Sequence, residues 1–580
     1  MLHTIGGQVK EFKKDSFLTP FCMILEVILE MVIPLLMASI IDDGVMKGDM
    51  GHILMVGGFM LVAALLGLLA GIMGGVFGAR ASAGLARNLR SAMFGNIQKF
   101  SFSNIDKYST AGLITRLTTD VTNVQNAYQM ILRMCMRAPM SIIVAMTMAF
   151  IISPRLALIY LGAVIFLGIF IFFLISRVMK YFQEVFERYD DLNASVQENV
   201  SGIRVVKAYV REDFEKDKFR KASENIYRMF VKAERMIVLN MPVMQFTVYA
   251  VILLISWFGA RMIVYGDLTT GQMMSLLAYC MNILMSLMML SMIFVMVSMS
   301  SASAKRITEV IEEESALKNP AIPVMDVTDG SVQFDHVWFS YNEDIEKSVL
   351  KDICLDIHSG ETIGVIGGTG SSKSSLVNLI SRLYDVTRGS VRVGNVDVRD
   401  YDMEVLRNQV AVVLQKNELF SGTILDNLRW GNEEASEEEC RRAAEIACAD
   451  EFIERMPDKY ETHIEQGGTN VSGGQKQRLC IARALLKKPK ILILDDSTSA
   501  VDTATDKKIR EGLSRELPHM TRFIIAQRIS SVENADRIIV MEDGRVKGFD
   551  THENLLRNNE LYRDVYESQN KGTGDFDEKK

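Results

Sequence analysis

The sequence predicts a chain in two parts, an α-helical membrane domain followed by a soluble α/β domain of the P-loop type. Three observations predict this. Long apolar runs fill the first half of the 580 residues, a glycine-rich loop lies between a strand pattern and a helix pattern in the second half, and the composition changes near residue 310. A chain this long and this uneven is expected to hold more than one domain.

Six stretches are long enough to cross the hydrocarbon core, which takes about 20 apolar residues in a helix. They are 17–41, 53–79, 136–153, 156–178, 236–262 and 272–298. The third is the shortest, and we expect it to continue as a more polar helix. The long connections, about 80–135 and 179–235, are rich in Lys and Arg and have a helical pattern. The positive-inside rule therefore predicts a multi-pass plasma-membrane protein with both long connections and both termini in the cytoplasm.

Charge and cysteine usage exclude other classes of protein. A formal net charge of -7 argues against a nucleic-acid partner, which would call for a basic surface. The 7 cysteines form no CxxC pair, so we expect reduced thiols and no zinc or disulfide framework. The N-terminal "MLHTIGGQVKEFKKDSF" has no apolar run before a cleavage site, and we expect no removable signal peptide.

Two features of the membrane half are candidate substrate contacts. Glu26 and Glu30 lie four residues apart in the first span, on one helical face. A charge at mid-bilayer costs about 3 kcal/mol, so both should face a partner helix or a wet cavity. A site for a cationic substrate is one interpretation, and hydrogen-bonded helix packing, which we favour, is the other.

The sixth span is crowded with methionine. Because methionine is flexible and polarizable, such a wall could repack around many ligand shapes. Ordinary packing or lipid contact is the more common role of such a stripe. The candidate substrate contacts in this span are Met281, Met285, Met288 and Met292.

The stretch "ETIGVIGGTGSSKSSLVNLISRLY" reads as strand, glycine-rich turn and helix, the order of a P-loop. Its backbone N–H groups would cradle phosphates, Lys373 would reach the β- and γ-phosphates, and Ser374 would hold Mg²⁺. Ser372 stands where the pattern has glycine, and a side chain there costs backbone freedom. The predicted phosphate-binding residues are Gly367, Gly368, Thr369, Gly370, Ser371, Ser372, Lys373, Ser374 and Ser375.

Further parts follow in the order that such a domain requires. Gln415 follows a strand pattern and could reach the metal or the attacking water, and Asp495 ends the aliphatic strand "ILILD". Between them, "NVSGGQKQRL" places a serine N-cap and two glycines at the start of a helix, where a phosphate can approach closely. These four residues are Ser472, Gly473, Gly474 and Gln475. The sequence therefore predicts ATP and Mg²⁺ as cofactors, with Ser374, Gln415 and Asp495 as metal ligands.

With these motifs, nearly the whole chain resembles the ATP-binding cassette (ABC) exporters of the half-transporter type. "LITRLTTDV" (113–121) and "ENVSGIRVVKAYVRE" (198–212) are similar to cytoplasmic loop motifs of that family. The resemblance implies six transmembrane helices with long cytosolic extensions, followed by an α/β P-loop NTPase cassette. It assigns Tyr341 to base stacking, 367–374 to Walker A, Gln415 to the Q-loop, 471–475 to the signature, Asp495 to Walker B and 499–502 to the D-loop. The predicted boundaries are 1–310 for the membrane domain, 311–329 for a linker, 330–570 for the cassette and 571–580 for a disordered tail.

The chain departs from the family at two catalytic positions, with Asp496 in place of the glutamate and Gln527 in place of the switch histidine. Aspartate withdraws the carboxylate by about 1.5 Å, and a 1 Å misplacement can cost about 10²-fold in rate. Loss of acid–base help typically costs about 10²–10⁴-fold. In this family two cassettes pack head to tail, and each ATP lies between one chain's P-loop and the other's signature. Both losses therefore fall on one nucleotide, whereas the signature, which serves the partner's nucleotide, is intact.

From this asymmetry we expect a degenerate site that binds ATP and hydrolyses it poorly. The chain would then be one half of a heterodimeric exporter, most similar to bacterial multidrug types, whose partner is a second, non-identical half-transporter. A homodimer with slow hydrolysis and an ATP-gated regulator or channel are the alternatives. The six spans exclude a soluble ATPase, and the fused domain order is less consistent with an importer. Small hydrophobic or cationic substrates are compatible with the sequence, and lipids and peptides stay open.

Overall fold

 The computed structural model describes residues 1–342, 344–496 and 501–570. The described chain divides into two compact units. The first unit is Met1–Lys99 with Ser109–Glu313, and the second is Phe100–Tyr108 with Glu314–Lys580. The predicted tail 571–580 and part of the predicted D-loop 499–502 lie outside the described residues.

The first unit is built from helices, several of them far longer than a membrane is thick. Two of these helices have 48 residues each, or about 72 Å at 1.5 Å per residue, against about 30 Å of hydrocarbon. In chain order the helices up to residue 313, with α4 belonging to the second unit, are α1 (Leu2–Gly7), α2 (Lys13–Ser39), α3 (Met50–Ile97), α4 (Phe102–Lys107), α5 (Thr110–Thr115), α6 (Val121–Ile152), α7 (Pro154–Ser201), α8 (Ile203–Ala208), α9 (Glu212–Ile237), α10 (Asn240–Tyr265) and α11 (Thr270–Glu312).

Six membrane-spanning helices are confirmed in the described part of the chain. The third predicted span does continue as a more polar helix, because α6 begins at Val121, well before the apolar stretch 136–153. The helical segments that are long and apolar enough to cross a membrane are Lys10–Val45, Met50–Ile97, Thr110–Ile152, Pro154–Val178, Glu212–Tyr265 and Thr270–Leu290.

Polar side chains inside the membrane unit bond to backbone carbonyls of neighbouring helices. The Tyr160 hydroxyl donates to the carbonyl of Leu276 at 2.7 Å, and the Tyr279 hydroxyl donates to that of Met31 at 2.7 Å. Both tyrosines are buried. Since lipid offers no hydrogen-bond partners, a buried hydroxyl must be satisfied within the protein, and these bonds tie α11 to α7 and to α2.

The second unit contains the α/β fold that the sequence predicts. A six-stranded sheet has the order β12-β11-β3-β10-β9-β6, a four-stranded sheet has the order β2-β1-β4-β5, and β7 pairs with β8. The strands are β1 (Val332–Phe339), β2 (Leu350–Ile357), β3 (Thr362–Gly367), β4 (Arg388–Val393), β5 (Val396–Asp397), β6 (Val410–Val413), β7 (Gly422–Thr423), β8 (His463–Ile464), β9 (Ile491–Asp495), β10 (Thr521–Ile525), β11 (Arg537–Glu542) and β12 (Arg545–Asp550). The helices are α12 (Lys373–Asn378), α13 (Met403–Gln409), α14 (Ile424–Arg429), α15 (Glu437–Ile446), α16 (Asp450–Ile453), α17 (Gly473–Leu485), α18 (Thr503–Glu516), α19 (His552–Asn558) and α20 (Glu560–Asn570).

The larger sheet is buried on both faces, which explains the uninterrupted aliphatic run of β9. Ile491 and Ile493 pack into one hydrophobic cluster, and Leu492 and Leu494 pack into the other. β3, β10, β9 and β6 are parallel neighbours. Because the carboxyl ends of parallel strands meet at one edge of a sheet, the loops that follow these four strands are brought together there.

Candidate nucleotide-binding site

One cavity of about 220 Å³ collects seven of the nine predicted phosphate-binding residues, all three predicted metal ligands and both catalytic departures. Gly367, Gly368 and Tyr341 are not among its lining residues. The loops after β3, β6, β9 and β10 each contribute to it, as their common sheet edge requires. Its lining residues are Thr369, Gly370, Ser371, Ser372, Lys373, Ser374, Ser375, Gln415, Asp495, Asp496, Ile525, Ala526 and Gln527.

Lys373 is held over the glycine-rich loop. Its ammonium donates to the carbonyl oxygens of Gly367 at 2.7 Å and Gly368 at 2.9 Å. Gly367 has to be glycine, because a Cβ there would lie 2.3 Å from the carbonyl oxygen of Met541. The loop therefore packs tightly against β11 and presents a compact cation with three donors, which suits a phosphate.

Ser372, the departure from the P-loop pattern, has a left-handed backbone. Its φ is 72° and its ψ is 28°, and it stands at the N-cap of α12 without a side-chain cap bond. The left-handed conformation costs a residue with a Cβ about 1–2 kcal/mol, whereas glycine adopts it freely. The serine therefore leaves strain in the phosphate loop.

Replacing Ser372 by glycine should stabilise the protein. Relief of about 1–2 kcal/mol is partly offset by the greater freedom of glycine in the unfolded chain, about 0.4–1 kcal/mol. We expect the Ser372→Gly variant to gain about 1 kcal/mol in free energy of unfolding, measured by denaturant or thermal unfolding. Ser371→Gly is the control, because Ser371 is not among the residues with positive φ. A lower stability for Ser372→Gly would contradict the strain argument.

The predicted magnesium ligands lie side by side. Asp495 is 5% exposed at the end of β9 and accepts a hydrogen bond from the Ser374 side chain. Burial raises the pKa of Asp495, the charge of Asp496 adds to this, and the Ser374 bond and the Lys373 ammonium oppose it. Hydroxyl, carboxylate and amide oxygens from Ser374, Asp495 and Gln415 are the hard donors that Mg²⁺ prefers, so the residues present fit this ion.

Both departures from the catalytic pattern face the same cavity. Asp496 has a left-handed φ of 47° and accepts a hydrogen bond from the Gln415 side chain. Burial raises the pKa of Asp496, while Lys373 and the Gln415 bond lower it. Gln527 lines the cavity from the loop after β10, and its amide does not titrate as an imidazole does.

Tyr341 lies beside the phosphate loop. Its hydroxyl is 2.8 Å from the Ser375 hydroxyl oxygen, and its ring packs edge-on against Phe339 and Tyr384, with centroid distances of 4.8 and 5.2 Å. Tyr341 remains 45% exposed. This partly open ring can serve as the platform for a base, as the family resemblance implies.

Sequence reasoning missed Tyr384, which joins Tyr341 to α4. The Tyr384 hydroxyl donates to the carboxylate of Asp106 at 2.7 Å, and the ring of Phe102 lies 6.0 Å away. Burial raises the pKa of Tyr384, and Asp106 raises it further, so the phenol stays a donor at neutral pH. The two bonded residues are 278 positions apart, and no local pattern signals such a contact.

The signature residues lie at the N-terminus of α17 and not among the lining residues of the cavity. Ser472 is the N-cap, as the sequence predicts. The Gln475 N–H donates to its hydroxyl oxygen at 3.3 Å, and the Ser472 N–H donates to the Gln475 side chain at 2.9 Å. Ser472 and Gly473 are exposed. An exposed, capped helix start with glycines can receive a phosphate from another molecule.

The two membrane glutamates share one arginine, which the sequence analysis did not identify. Arg137 of α6 donates to Glu26 at 2.8 Å and to Glu30 at 2.9 Å. Gly71 of α3 leaves room for this pair, since a Cβ there would lie 3.2 Å from the Glu26 carboxylate. The positive partner of both glutamates is therefore Arg137 of a neighbouring helix, which agrees with the helix-packing interpretation. A substrate role for the glutamates stays a prediction.

The methionines of the sixth span do not share one environment. Met281, Met285 and Met292 are 49%, 59% and 65% exposed. Met288 is partly buried against the hydrophobic cluster of the membrane unit. Their contact with a substrate stays a prediction.

The fold and the site together define an ABC exporter half-transporter, with a membrane domain fused to an ATPase domain. Residues 16–288 match the family described as ABC transporter transmembrane region, and residues 350–499 match the family described as ABC transporter. The chain belongs to the ABC transporter family.

Relatives and a solved structure agree with this assignment. The chain is 36% identical over 566 residues to the ABC transporter ATP-binding protein YfiB of Bacillus subtilis, covering 96% of this chain and 98% of that protein. It is 31% identical over 491 residues to the ATP-dependent lipid A-core flippase of Desulfotalea psychrophila, covering 84% and 85%. A bacterial Atm1-family ABC exporter with ATP bound has the same fold, with a TM-score of 0.83 at 22% identity, over 96% of this chain and 99% of that one.

Proposed function

We propose that this chain is the degenerate-site subunit of a heterodimeric ABC exporter. The observation that carries the proposal is the placement of Asp496 and Gln527 in the same cavity as the predicted metal ligands and most of the predicted phosphate residues. The signature at Ser472 lies elsewhere and departs from the family at none of its predicted positions. The chain would thus hold one ATP and complete a second site on its partner.

The binding half of the proposal rests on Lys373, Ser374 and Asp495. Lys373 neutralises phosphate charge, and the Ser374–Asp495 pair holds the metal. Ser374, Gln415 and Asp495 would hold Mg²⁺, whose charge would offset that of the phosphates. Tyr341 stacks on the base beside this loop. These residues make binding favourable without supplying a proton acceptor for water.

Slow hydrolysis follows from the two remaining side chains. The Asp496 carboxylate is about 1.5 Å shorter in reach than glutamate, and the Gln415 side chain bonds to it. Gln527 offers an amide where an imidazole would exchange protons. ATP held here keeps the cassettes in contact, and hydrolysis at the partner's site resets the pair.

Transport in this proposal is by alternating access. Closure of the cassettes on ATP moves the cytosolic loops, including 102–120 and 200–215, and the spans turn the cavity outward. Hydrophobic drugs or lipid-like molecules, small and neutral or cationic, are the proposed substrates. The cassette and both termini lie on the cytoplasmic side of the plasma membrane.

The Tyr384–Asp106 bond should contribute to this coupling. Tyr384→Phe keeps the aromatic packing and removes a hydrogen bond to a charged acceptor, which is worth about 1.5–3 kcal/mol. We expect the amount of substrate moved per ATP hydrolysed to fall about 10-fold in vesicles, with nucleotide binding retained. Asp106→Asn keeps an acceptor oxygen, so the amount of substrate moved per ATP should fall less in this variant. Unchanged coupling in both variants would exclude a role for this bond.

Purification of this chain alone tests the heterodimer. We expect little ATPase activity from it, and activity on addition of a second half-transporter. Brisk turnover without a partner would contradict the proposal. Slow turnover by a self-assembled dimer would favour the homodimer, and ATP-gated downhill flux in vesicles would favour a channel.

A further inference from the structure

Gln569, in the last turn of α20, bonds to the loop that carries Gln527. Its side-chain oxygen accepts from the Ile529 N–H at 2.9 Å, and its side-chain nitrogen donates to the Gln527 carbonyl at 3.1 Å. We name residues 526–531 the switch loop. One amide therefore fixes the backbone of this loop at two points.

The helix that carries Gln569 is itself well anchored. Tyr562 and Val565 of α20 are buried, and the Tyr562 hydroxyl lies 2.6 Å from Nδ1 of His552 in α19. The Tyr562 N–H also donates to the Asn559 side chain at 2.9 Å. Gln569 thus reaches the switch loop from a packed element.

A second helix holds the other end of the switch loop. Arg510 of α18 donates to the Ser531 carbonyl and pairs with Asp506. α18 begins at Thr503 and is capped by Asp502, whose side chain accepts from the Thr505 N–H at 3.0 Å. Gln569 bonds to the backbone of Gln527 and Ile529, and Arg510 bonds to the backbone of Ser531. The switch loop is therefore held by two separate helices.

We propose that Gln569 is a positioning residue that holds Gln527 toward the terminal phosphate of ATP and slows the release of ATP from this chain. Gln527 lines the nucleotide cavity, and Gln569 bonds to the backbone carbonyl of Gln527. A loop ordered before binding loses less entropy when ATP arrives. The inference rests on the proposed ATP binding at this site but not on the identity of the second chain.

The test measures release of ATP and ADP from the complete transporter in membranes. An azido-ATP or azido-ADP photoprobe is bound, chased with unlabelled nucleotide and cross-linked to this chain at successive times. We expect Gln569→Ala to release the ATP probe about 10-fold faster, since it loses both hydrogen bonds to the switch loop. Release of the ADP probe, which lacks the terminal phosphate, should be unchanged.

Matched variants separate positioning from general loss of structure. Gln569→Glu keeps the acceptor for the Ile529 N–H but places a carboxylate against the Gln527 carbonyl. Its release of ATP should therefore be faster than that of the wild type. Arg563→Ala on the same helix is the control, because the Arg563 side chain bonds to the Arg557 carbonyl and, within the described part of the chain, has no hydrogen bond to the switch loop. In a Gln527→Ala background, Gln569→Ala should add no further acceleration.

Three outcomes would overturn the inference. Equal acceleration of ATP and ADP release would make Gln569 a purely structural residue. Wild-type release rates in Gln569→Ala would remove its role while leaving ATP binding intact. A wild-type chain that retains no probe would overturn both this inference and the proposed binding of ATP.

Discussion

The double variant Asp496→Glu with Gln527→His is expected to raise hydrolysis at this chain's own site by about 10²–10⁴-fold. Glutamate extends the carboxylate by about 1.5 Å, and histidine restores a group that exchanges protons near neutral pH. The left-handed φ of 47° at position 496 costs glutamate about 1–2 kcal/mol. A 10²-fold gain corresponds to about 2.7 kcal/mol, so the catalytic gain should exceed the backbone cost.

Total ATPase activity of the assembled transporter measures this effect. Each single variant should give a smaller rise than the pair, since both groups act on one nucleotide. Asp496→Asn is the matched control, because it keeps the size of the side chain and removes its charge, and it should not raise hydrolysis. If the double variant hydrolyses ATP at the wild-type rate, these two positions do not limit the site.

Local patterns were sufficient for the membrane spans and the phosphate loop. Apolar length alone locates a span, because a helix needs about 20 such residues to cross the bilayer. The run 491–494 predicts a strand buried on both faces, and β9 is one. Gln415 and Asp495 were expected to join the phosphate loop because they follow it in the order that a P-loop domain requires, and they line one cavity with Lys373.

Contacts between distant segments could not be predicted in the same way. The pairing of Tyr384 with Asp106 depends on where α4 packs, which no periodicity encodes. The partner of Glu26 and Glu30 left a signal, because Arg137 lies in the third apolar stretch and itself needs an acid. A charged residue in one span is thus a reason to look for its opposite in another.

Adding a carboxylate to the signature should affect hydrolysis far more than removing the lysine of the phosphate loop. Gly474→Asp places a negative charge at the N-terminus of α17, where the partner's phosphate is proposed to bind. Like charges at 4 Å repel by about 4 kcal/mol at an effective dielectric constant of about 20. We expect ATPase activity of the heterodimer to fall about 10²–10³-fold. Gly474→Ala, which adds a methyl group without charge, is the control, and ATPase activity should fall less in it.

Lys373→Ala provides the opposing half of the comparison. It removes the cation from this chain's own site, and a degenerate site contributes little to turnover. Total hydrolysis should therefore fall only about 2- to 3-fold, because ATP bound there holds the two cassettes together less tightly. In a homodimer every site would contain the substituted residue, so either variant alone would abolish activity. The two variants should differ only if the signature of this chain belongs to a faster site than its P-loop does. Equal losses of ATPase activity from Gly474→Asp and Lys373→Ala would therefore contradict the proposal of unequal sites.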